Sequence, residues 1–358
     1  MNTAELLQAI LKKGISDIHF KAGTPPVIRI NGQLVSTGFE NFTPRHIQEI
    51  AFGLLNDEQK KIFSEENEID FSYGLEGVSR FRVNVYRQRG TIALTLRVVP
   101  FKIKNFDELN LPQAIFKKLA EEPRGLILFA GITGAGKTTT MNSLIDYINK
   151  TFAYKIVTIE DPIEYFHKDE KSFISQREIG ADTKSFGKGL KYVLRQDPDV
   201  VSIGEMRDYE AISAGISSAE TGHLVLSTIH TMNAVQTIDR IVDAYPPHQQ
   251  HQVRVSLSNV IRGIVAQRLI PCINSDARIP ALEILVGTAL IRKNIAENRS
   301  IEMYKLMEQG EYYGMRTFDQ DLIRLYREKI ITLEDALENA TNPDDLMLKV
   351  KGIDREEQ

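Results

Sequence analysis

The sequence has one cysteine, no tryptophan, no long apolar run and no excess of basic residues. Cys272 alone can form neither an intramolecular disulfide nor a structural zinc site. Such low cysteine usage is typical of a reducing compartment, so we expect a cytoplasmic location. No stretch approaches the roughly 20 apolar residues of a membrane span, so the sequence predicts that any membrane role depends on a partner.

The charge balance gives no general attraction to polyanions. The 358 residues carry 44 Lys and Arg against 48 Asp and Glu, a formal net charge of −4. This argues against nucleic acid as a partner, although a local basic face stays possible. Hydrophobic residues make up 42% and charged residues 26%, as in ordinary globular proteins, and the length predicts roughly two domains. The start, Met1 to Ile15, has the pattern of an amphipathic segment rather than a signal peptide.

Residues 15–100 are predicted to be mostly β-structure with one helix. Asn31-Gly32 marks the turn of a hairpin spanning 27–35, and Thr43-Pro44 begins a helix that ends near Leu55. Two further strands, 81–86 and 92–97, alternate with period two and are joined by a polar stretch that ends in Gly90.

A connector with one amphipathic helix follows from Pro100 to Pro123, and the pattern then changes. Four apolar runs separated by helical stretches predict buried parallel strands of a three-layer α/β domain. They are 126–130, 155–159, 200–203 and 224–229. Beyond about Pro271 the sequence predicts mainly helix, with a helix start at Thr332 and a break at Asn342-Pro343.

A glycine-rich loop lies between the first apolar run and a helix-forming stretch, and it fits G-x-x-x-x-G-K-[ST] at every fixed position. Glycines there let backbone N–H groups surround a phosphate, the lysine reaches the β and γ oxygens, and the hydroxyl can bind Mg²⁺. The alternative is a turn without a ligand. The predicted nucleotide-binding residues are Gly131, Ile132, Thr133, Gly134, Ala135, Gly136, Lys137, Thr138 and Thr139.

Acidic residues follow two of the apolar runs. Glu160, Asp161 and Glu164 come after the second run, and Glu205 follows the third, where Gly204 takes a place that often holds aspartate. A P-loop ATPase needs an acid near the metal and a group that orients or deprotonates water. Ligands of α/β folds bind at the carboxyl ends of the strands, which favours this function over helix capping or pairing with arginines.

Two histidines, His223 and His230, bracket the fourth apolar run. Seven residues apart, they lie at opposite ends of the predicted strand and cannot share a metal ion. A γ-phosphate sensor is one interpretation, and a packing or hydrogen-bonding role is the other.

Arginines on the N-terminal strands form a second candidate group. If the turn centres on Arg89-Gly90, Arg82 and Arg97 lie directly opposite each other, with Arg80 on the same face as Arg82. Like charges opposite each other destabilise a sheet, so the pair indicates an anion supplied from elsewhere. A solvated face with splayed side chains is the alternative to phosphate contact across a subunit interface.

Together the motifs resemble the secretion and type IV pilus motor ATPases, and among these the pilus retraction branch of PilT-like proteins, over nearly the whole chain. Several long motifs in the right order are more specific than any one of them. The matching segments are Ser16-Asp17-Ile18-His19 with Gly23, Pro25-Pro26 and Arg29, the Walker A loop from Gly131 to Thr138, the Asp box from Glu160 to Glu164, the Walker B signature from Leu194 to Asp208, and the His box from Thr221 to Thr231.

The resemblance implies an α/β protein: a PAS-like α+β N-terminal domain, then a RecA-like P-loop ATPase domain with a helical C-terminal extension. It places the N-terminal domain at 1–100, a linker at 101–122, the ATPase core at 123–270 and the helical region at 271–358. It implies a homohexamer that binds ATP and Mg²⁺ at the inner-membrane face of a pilus machine, on its platform protein.

The resemblance also assigns roles to residues. Glu205 takes the general-base role, Arg82 and Arg97 complete the site from the N-terminal domain, and the metal side is formed by Thr138, Glu160, Asp161 and Glu164. His230 is a further candidate for catalysis. Secondary candidates are Arg80, His223, Arg195 and Arg207.

The sequence departs from the family's motifs at two places, and one of them bears on the choice between the retraction and assembly branches. Ser202 occupies a Walker B position that is usually aliphatic, which we expect to weaken packing more than chemistry. A helix motif of the retraction branch matches Leu290 to Glu297, but Ala296 replaces its second arginine. The single cysteine and the early P-loop favour retraction, since assembly and type II secretion motors usually carry a four-cysteine zinc subdomain and a longer N-terminal region.

Assembly or type II secretion remains an alternative within the family. Outside pilus motors, a nucleic-acid translocase and a non-catalytic regulatory ring are the other candidate functions. The translocase would need a basic, aromatic channel, and the acidic balance and the absence of tryptophan argue against one.

Overall fold

The computed structural model describes residues 3–11, 15–30, 32–75, 78–99, 102–275 and 277–352. The chain divides into two compact units. The first comprises the residues up to Lys102 together with Pro162–Phe166 and Gly180–Asp182, and the second comprises Ile103–Asp161, His167–Ile179 and the residues from Thr183 onward.

The described residues of the first unit form an antiparallel sheet and three helices. Its six strands have the order β3-β2-β1-β6-β5-β4. The strands are β1 (Ile15–Lys21), β2 (Val27–Ile30), β3 (Gln33–Ser36), β4 (Glu68–Leu75), β5 (Ser79–Gln88) and β6 (Thr91–Val99), and the helices are α1 (Thr3–Ile10), α2 (Pro44–Leu54) and α3 (Asp57–Glu66). Its buried core includes Phe20, Ile47, Phe63, Phe81 and Leu94.

Local signals explain the helix that was predicted and the one that was not. Helix α2 begins as predicted: the Thr43 side chain accepts a hydrogen bond from the His46 N–H, and Pro44 occupies the first turn. The expectation of a single helix in residues 15–100 was wrong, because α3 follows with Asn56 as its cap. That helix buries only Phe63, so its sequence shows little helical periodicity.

Both predicted hairpins form. In the first, Ile30 pairs with Gln33; Asn31 of its predicted turn lies outside the described residues. In the second, Arg89 and Gly90 both have positive φ, at 48° and 75°, as a tight turn between twisted strands requires.

The second unit is a seven-stranded sheet flanked by helices, with the order β13-β12-β7-β11-β10-β8-β9. All neighbours are parallel except β12 and β13. The strands are β7 (Gly125–Ala130), β8 (Lys155–Glu160), β9 (Phe173–Glu178), β10 (Val200–Ile203), β11 (Leu224–Ile229), β12 (Ile261–Pro271) and β13 (Arg278–Val286). The four strands predicted from apolar runs are confirmed.

Helices alternate with these strands, and further helices follow β13. They are α4 (Gln113–Ala120), α5 (Lys137–Thr151), α6 (Phe186–Val193), α7 (Tyr209–Glu220), α8 (Ala234–Asp243), α9 (Pro247–Val260), α10 (Ala289–Ala296), α11 (Ser300–Glu308), α12 (Phe318–Arg327), α13 (Leu333–Glu338) and α14 (Pro343–Val350), with a 3₁₀ turn at Glu311–Tyr313. Thr332 caps α13 and Asn342 caps α14, as the sequence signals indicate.

The prediction of mainly helix beyond Pro271 was wrong for its first stretch. Strand β13 lies there and pairs antiparallel with β12 along nine residues. Pro280 and Glu283 interrupt the apolar pattern of β13, which hides it in the sequence. The strand is at the edge of the sheet, where proline is tolerated.

The fold class expected from the sequence is confirmed: an antiparallel α+β unit precedes an α/β unit built on a mostly parallel sheet. Because β7, β8, β10 and β11 run parallel, their carboxyl ends meet at one edge. The residues that follow these strands are therefore brought together there.

Candidate nucleotide site

The glycine-rich loop joins the end of β7 to the start of α5. Gly131, Gly134 and Gly136 all have positive φ. A Cβ on Gly131 would lie 2.7 Å from the Gln267 carbonyl oxygen, and one on Gly136 would lie 2.6 Å from Gln267 Nε2. The positive φ of all three residues and the close approach of the Gln267 backbone at Gly131 favour glycine, and the loop curves with its backbone N–H groups at the amino end of α5, the geometry that binds phosphate.

Lys137 is buried at the first position of α5. Its ammonium donates to the carbonyls of Gly131 at 2.8 Å and Ile132 at 3.0 Å. It also lies 3.3 Å from His230 Nδ1. The loop thus holds a cation beside the backbone that would surround the β and γ phosphates.

His230 follows β11 and contacts two charged groups. Its Nε2 lies 3.2 Å from Glu205 Oε1, while Nδ1 faces the Lys137 ammonium. An ammonium can only donate and a carboxylate can only accept. The tautomer with its proton on Nε2 satisfies both contacts, so the geometry assigns that tautomer to His230.

Glu205 follows β10, and its side chain is largely buried. Arg207 holds the other carboxylate oxygen, with Nε 2.8 Å from Oε2. This hydrogen bond and the negative charge of Glu205 raise the pKa of Arg207. Both oxygens of Glu205 are therefore fixed, one by a guanidinium and one by an imidazole, which orients the carboxylate at the strand's carboxyl end.

Glu160 ends β8 and is buried. Its Oε1 accepts hydrogen bonds from Thr158 Oγ1 at 2.6 Å and from Gln176 Nε2 at 3.1 Å. A Cβ on Gly204 would lie 3.3 Å from the Glu160 Cα. The close approach of the two backbones explains glycine at 204 and brings the ends of β8 and β10 together.

The other members of the acidic box lie in different surroundings. Asp161 is exposed, and its charge contributes to the raised pKa of Arg207. Glu164 is exposed and belongs to a segment of the first unit.

The residues fit Mg²⁺ by the chemistry of their donors. Thr138 supplies a hydroxyl in the first turn of α5, and Glu160 and Asp161 supply carboxylates, the hard oxygens that Mg²⁺ prefers. Mg²⁺ at phosphate sites takes only one or two protein ligands and keeps several waters. Across the described part of the chain, no three His, Cys, Asp or Glu side chains are placed to hold a metal ion by themselves.

Ser202 and Gln267 contact helix α5, which follows the loop. Ser202 is buried in β10 and its hydroxyl donates to Met141 Sδ of α5 at 3.8 Å. Gln267 of β12 accepts from Thr140 Oγ1 at 2.8 Å. The motifs do not include Gln267, and with β12 unpredicted no sequence signal could have placed it here.

Two secondary candidates lie away from this edge. His223 precedes β11, so it is at the opposite edge of the sheet from His230, with Nδ1 3.0 Å from the Ser218 carbonyl oxygen. Arg195 is exposed in the turn that precedes β10. The structure brings Arg207 to the Lys137 edge, and it does not bring these two residues there.

The arginine pair of the first unit has the predicted register. Arg82 of β5 lies directly opposite Arg97 of β6, and Arg80 pairs with Val99. The sequence indicates that the anionic partner of this arginine pair comes from outside the sheet. For Arg97 this needs correction, because its partner is Asp17 of β1 in the same sheet. Arg97 Nε lies 2.9 Å from Asp17 Oδ1. Sequence reasoning missed this contact because it did not place β1 beside β6.

Asp17 is buried, and neighbouring groups stabilise its negative charge. Burial by itself raises the pKa of Asp17, but hydrogen bonds from Arg97 and Ser16 together with charge interactions, chiefly with Arg97, outweigh it and leave the pKa below its ordinary value. Asp17 thus anchors Arg97, whose side chain is 70% exposed.

Taken over the residues with a described position, the helices include none that is both long and apolar enough to cross a lipid bilayer. A strand, a glycine-rich loop with a buried lysine, a helix and an acidic residue on a neighbouring strand define the second unit as that of a P-loop nucleotide hydrolase.

Comparison with known proteins identifies the family. The family model for type II/IV secretion system proteins matches residues 2–309. The chain is 40% identical over 344 residues to the type IV pilus retraction ATPase PilT of Pseudomonas aeruginosa, covering 96% of this chain and 99% of that protein. It is also 40% identical over 351 residues to the type IV pilus ATPase PilU of the same organism, covering 98% and 92%.

Among solved structures, the chain is similar to a crystal structure of the pilus retraction motor PilT with bound ADP. The TM-score is 0.89 at 44% identity, over 97% of this chain and 99% of that one. The chain therefore belongs to the type II/IV secretion ATPase family, within its type IV pilus ATPases.

Proposed function

We propose that this protein is the motor that couples ATP hydrolysis to type IV pilus retraction. The observation that carries the proposal is the chain of contacts from Lys137 through His230 to Glu205. In this proposal the Lys137 ammonium binds the phosphates, the Glu205 carboxylate faces the attacking water, and the His230 imidazole lies between the two groups. Hydrolysis needs both groups at the same end of the nucleotide.

The proposed roles follow from these positions. The backbone of Gly131–Gly136 and Lys137 bind the phosphates, and Glu205 accepts the proton of the attacking water. His230 and Arg207 orient Glu205, since each holds one of its oxygens. Mg²⁺, when bound, would neutralise phosphate charge, held through Thr138 and the carboxylates of Glu160 and Asp161.

The assembly that we propose is a six-subunit ring on an inner-membrane platform protein, in the cytoplasm. Arg82 and Arg97 of one subunit then act on the phosphates of a neighbouring subunit's site, with Arg80 in support. The full-length similarity to a pilus retraction motor supports this, and so does the exposure of Arg97 on an anchored side chain.

Retraction is favoured over assembly by the single cysteine and by alignment with 99% of the PilT chain. A different role among type IV pilus ATPases is the second candidate, because the identity to PilU is also 40%. Ala296, which ends α10, is the position where the chain departs from the motif of the retraction branch.

A deletion strain tests the choice between these functions. We expect loss of twitching with surface pili that accumulate, counted by electron microscopy, and restoration by the wild-type gene but not by Lys137→Ala. A strain with bare cells would show an assembly motor instead. Normal pili and normal twitching would contradict both motor functions.

A further inference from the structure

A continuous path of hydrogen bonds joins the Walker A helix to the acidic box through residues that no motif includes. Asn142 Nδ2 donates to the Thr138 carbonyl at 2.9 Å, and Asn142 Oδ1 lies 2.7 Å from His167 Nε2. The His167 backbone N–H donates to Gln176 Oε1 at 2.8 Å, and Gln176 Nε2 donates to Glu160 Oε1 at 3.1 Å.

The path has a defined direction at each step. The Asn142 amide nitrogen donates to a carbonyl, so its oxygen is the acceptor for His167. His167 therefore carries its proton on Nε2. Its Nδ1 is buried and has no hydrogen-bond partner in the described residues.

The surroundings keep His167 uncharged. Burial, with a smaller contribution from the positive charge of Lys150, lowers the pKa of His167 to about 4. A neutral ring has one donor, and Asn142 uses it. The ring cannot change partners without leaving a buried polar group unsatisfied, which makes the contact to Asn142 specific.

The two ends of the path are the residues that we expect to face Mg²⁺. Thr138 lies in the first turn of α5, and Glu160 ends β8. Asn142 is one helical turn after Thr138. Its hydrogen bond to the Thr138 carbonyl therefore stabilises the turn that carries the Thr138 hydroxyl. Gln176 and Thr158 both bind Glu160 Oε1, which fixes the orientation of that carboxylate.

We propose that His167, Asn142 and Gln176 are positioning residues that set the spacing of Thr138 and Glu160 and so determine the affinity for Mg²⁺ bound with a nucleotide. This rests on the proposed function, because it assumes that the site binds a magnesium nucleotide. Outer-shell hydrogen bonds of this kind orient metal ligands, and their loss typically costs about 10- to 100-fold in metal affinity.

The first experiment compares ADP affinity with Mg²⁺ and with EDTA in the full-length protein. His167→Leu removes the donor to Asn142, and we expect about tenfold weaker binding of ADP with Mg²⁺ but less than about twofold change in EDTA. His167→Gln places an amide N–H near the position of Nε2 and should restore most of the affinity. His251→Gln, at an exposed position of α9, is the matched control.

Equal losses with and without Mg²⁺, or no loss at all, would overturn the proposal. A failure of His167→Gln to restore Mg²⁺-dependent affinity would count against the hydrogen bond as the cause. If the wild-type chain does not bind ADP with Mg²⁺, the proposed function itself fails, and that result is distinct from a failure of the positioning role.

A second measurement needs no destabilising substitution in the observed protein. With ¹⁵N-labelled histidine in the wild-type chain, His167 should give an imidazole signal with its proton on Nε2, assigned by its loss in His167→Gln. We expect this signal to shift when ADP and Mg²⁺ are added and to stay in place with ADP and EDTA. A signal that does not respond to Mg²⁺, or one that shows the proton on Nδ1, would contradict the proposal.

Discussion

His230 Nε2 lies 3.2 Å from the Glu205 carboxylate, while its other ring nitrogen faces the Lys137 ammonium. The imidazole is thus the link between the phosphate-binding lysine and the general base that we propose. Because the His230 imidazole contacts both groups, we expect its removal to affect catalysis.

We predict that His230→Ala lowers kcat by about 10- to 100-fold and changes KM for ATP by less than about threefold, because the imidazole orients Glu205 rather than binding phosphate. Steady-state ATPase assays measure both values. His248→Ala, at an exposed position of α9, is the control and should retain wild-type kinetics. A kcat within about twofold of wild type would show that Glu205 does not need this contact.

Mixed rings test the role of the arginines between subunits. Arg97→Ala and Lys137→Ala chains should each be inactive alone, but mixing them should recover some ATPase activity, because some sites then combine an intact Walker A loop with an intact arginine from the neighbour. Arg45→Ala, which removes an exposed arginine of α2, should stay active alone. A mixture with no more ATPase activity than either variant alone would contradict action of Arg97 across the subunit interface.

Glu283 on β13 gives a pH dependence of stability with a clear sign. Burial raises the pKa of Glu283 from its ordinary value of 4.5 to about 7, although the Ala234 N–H and the charge of Arg268 oppose it and the charge of Asp319 adds to it. Between pH 4.5 and about 7 the folded chain binds more protons than the unfolded chain. Stability therefore decreases as pH rises through this window.

We predict that Glu283→Gln raises the free energy of unfolding at pH 8 by roughly 3 kcal/mol relative to wild type and has little effect at pH 4, since glutamine keeps an acceptor for the Ala234 N–H and carries no charge. Urea denaturation at the two pH values measures the difference. The exposed Glu334→Gln on α13 is the control. Equal effects of Glu283→Gln at both pH values would contradict the raised pKa.

Regular local patterns made much of the fold predictable. The apolar runs placed β7, β8, β10 and β11, and the glycine-rich loop between β7 and α5 followed from its own residues. The positive φ of Arg89 and Gly90 gives the register that sets Arg82 opposite Arg97, as expected from a turn at that position.

Contacts between distant strands were not predictable in the same way. Asp17 and Arg97 are 80 residues apart and meet because β1 lies beside β6, an order that no local pattern encodes. The contacts of His167, Asn142 and Gln176 depend likewise on how β8, β9 and α5 pack. Single polar residues without periodicity give no signal, so this part of the site needed the structure.

In the proposed mechanism Glu205 is the general base, and replacing its carboxylate by an amide removes that function. ATP turnover and ATP affinity are measured for Glu205→Gln beside the exposed control Glu220→Gln. Glutamine keeps the size of the side chain but is a far weaker base, so we predict that turnover falls by at least about 100-fold while ATP affinity stays within about threefold of wild type. Turnover near the wild-type rate in Glu205→Gln would show that Glu205 is not the general base.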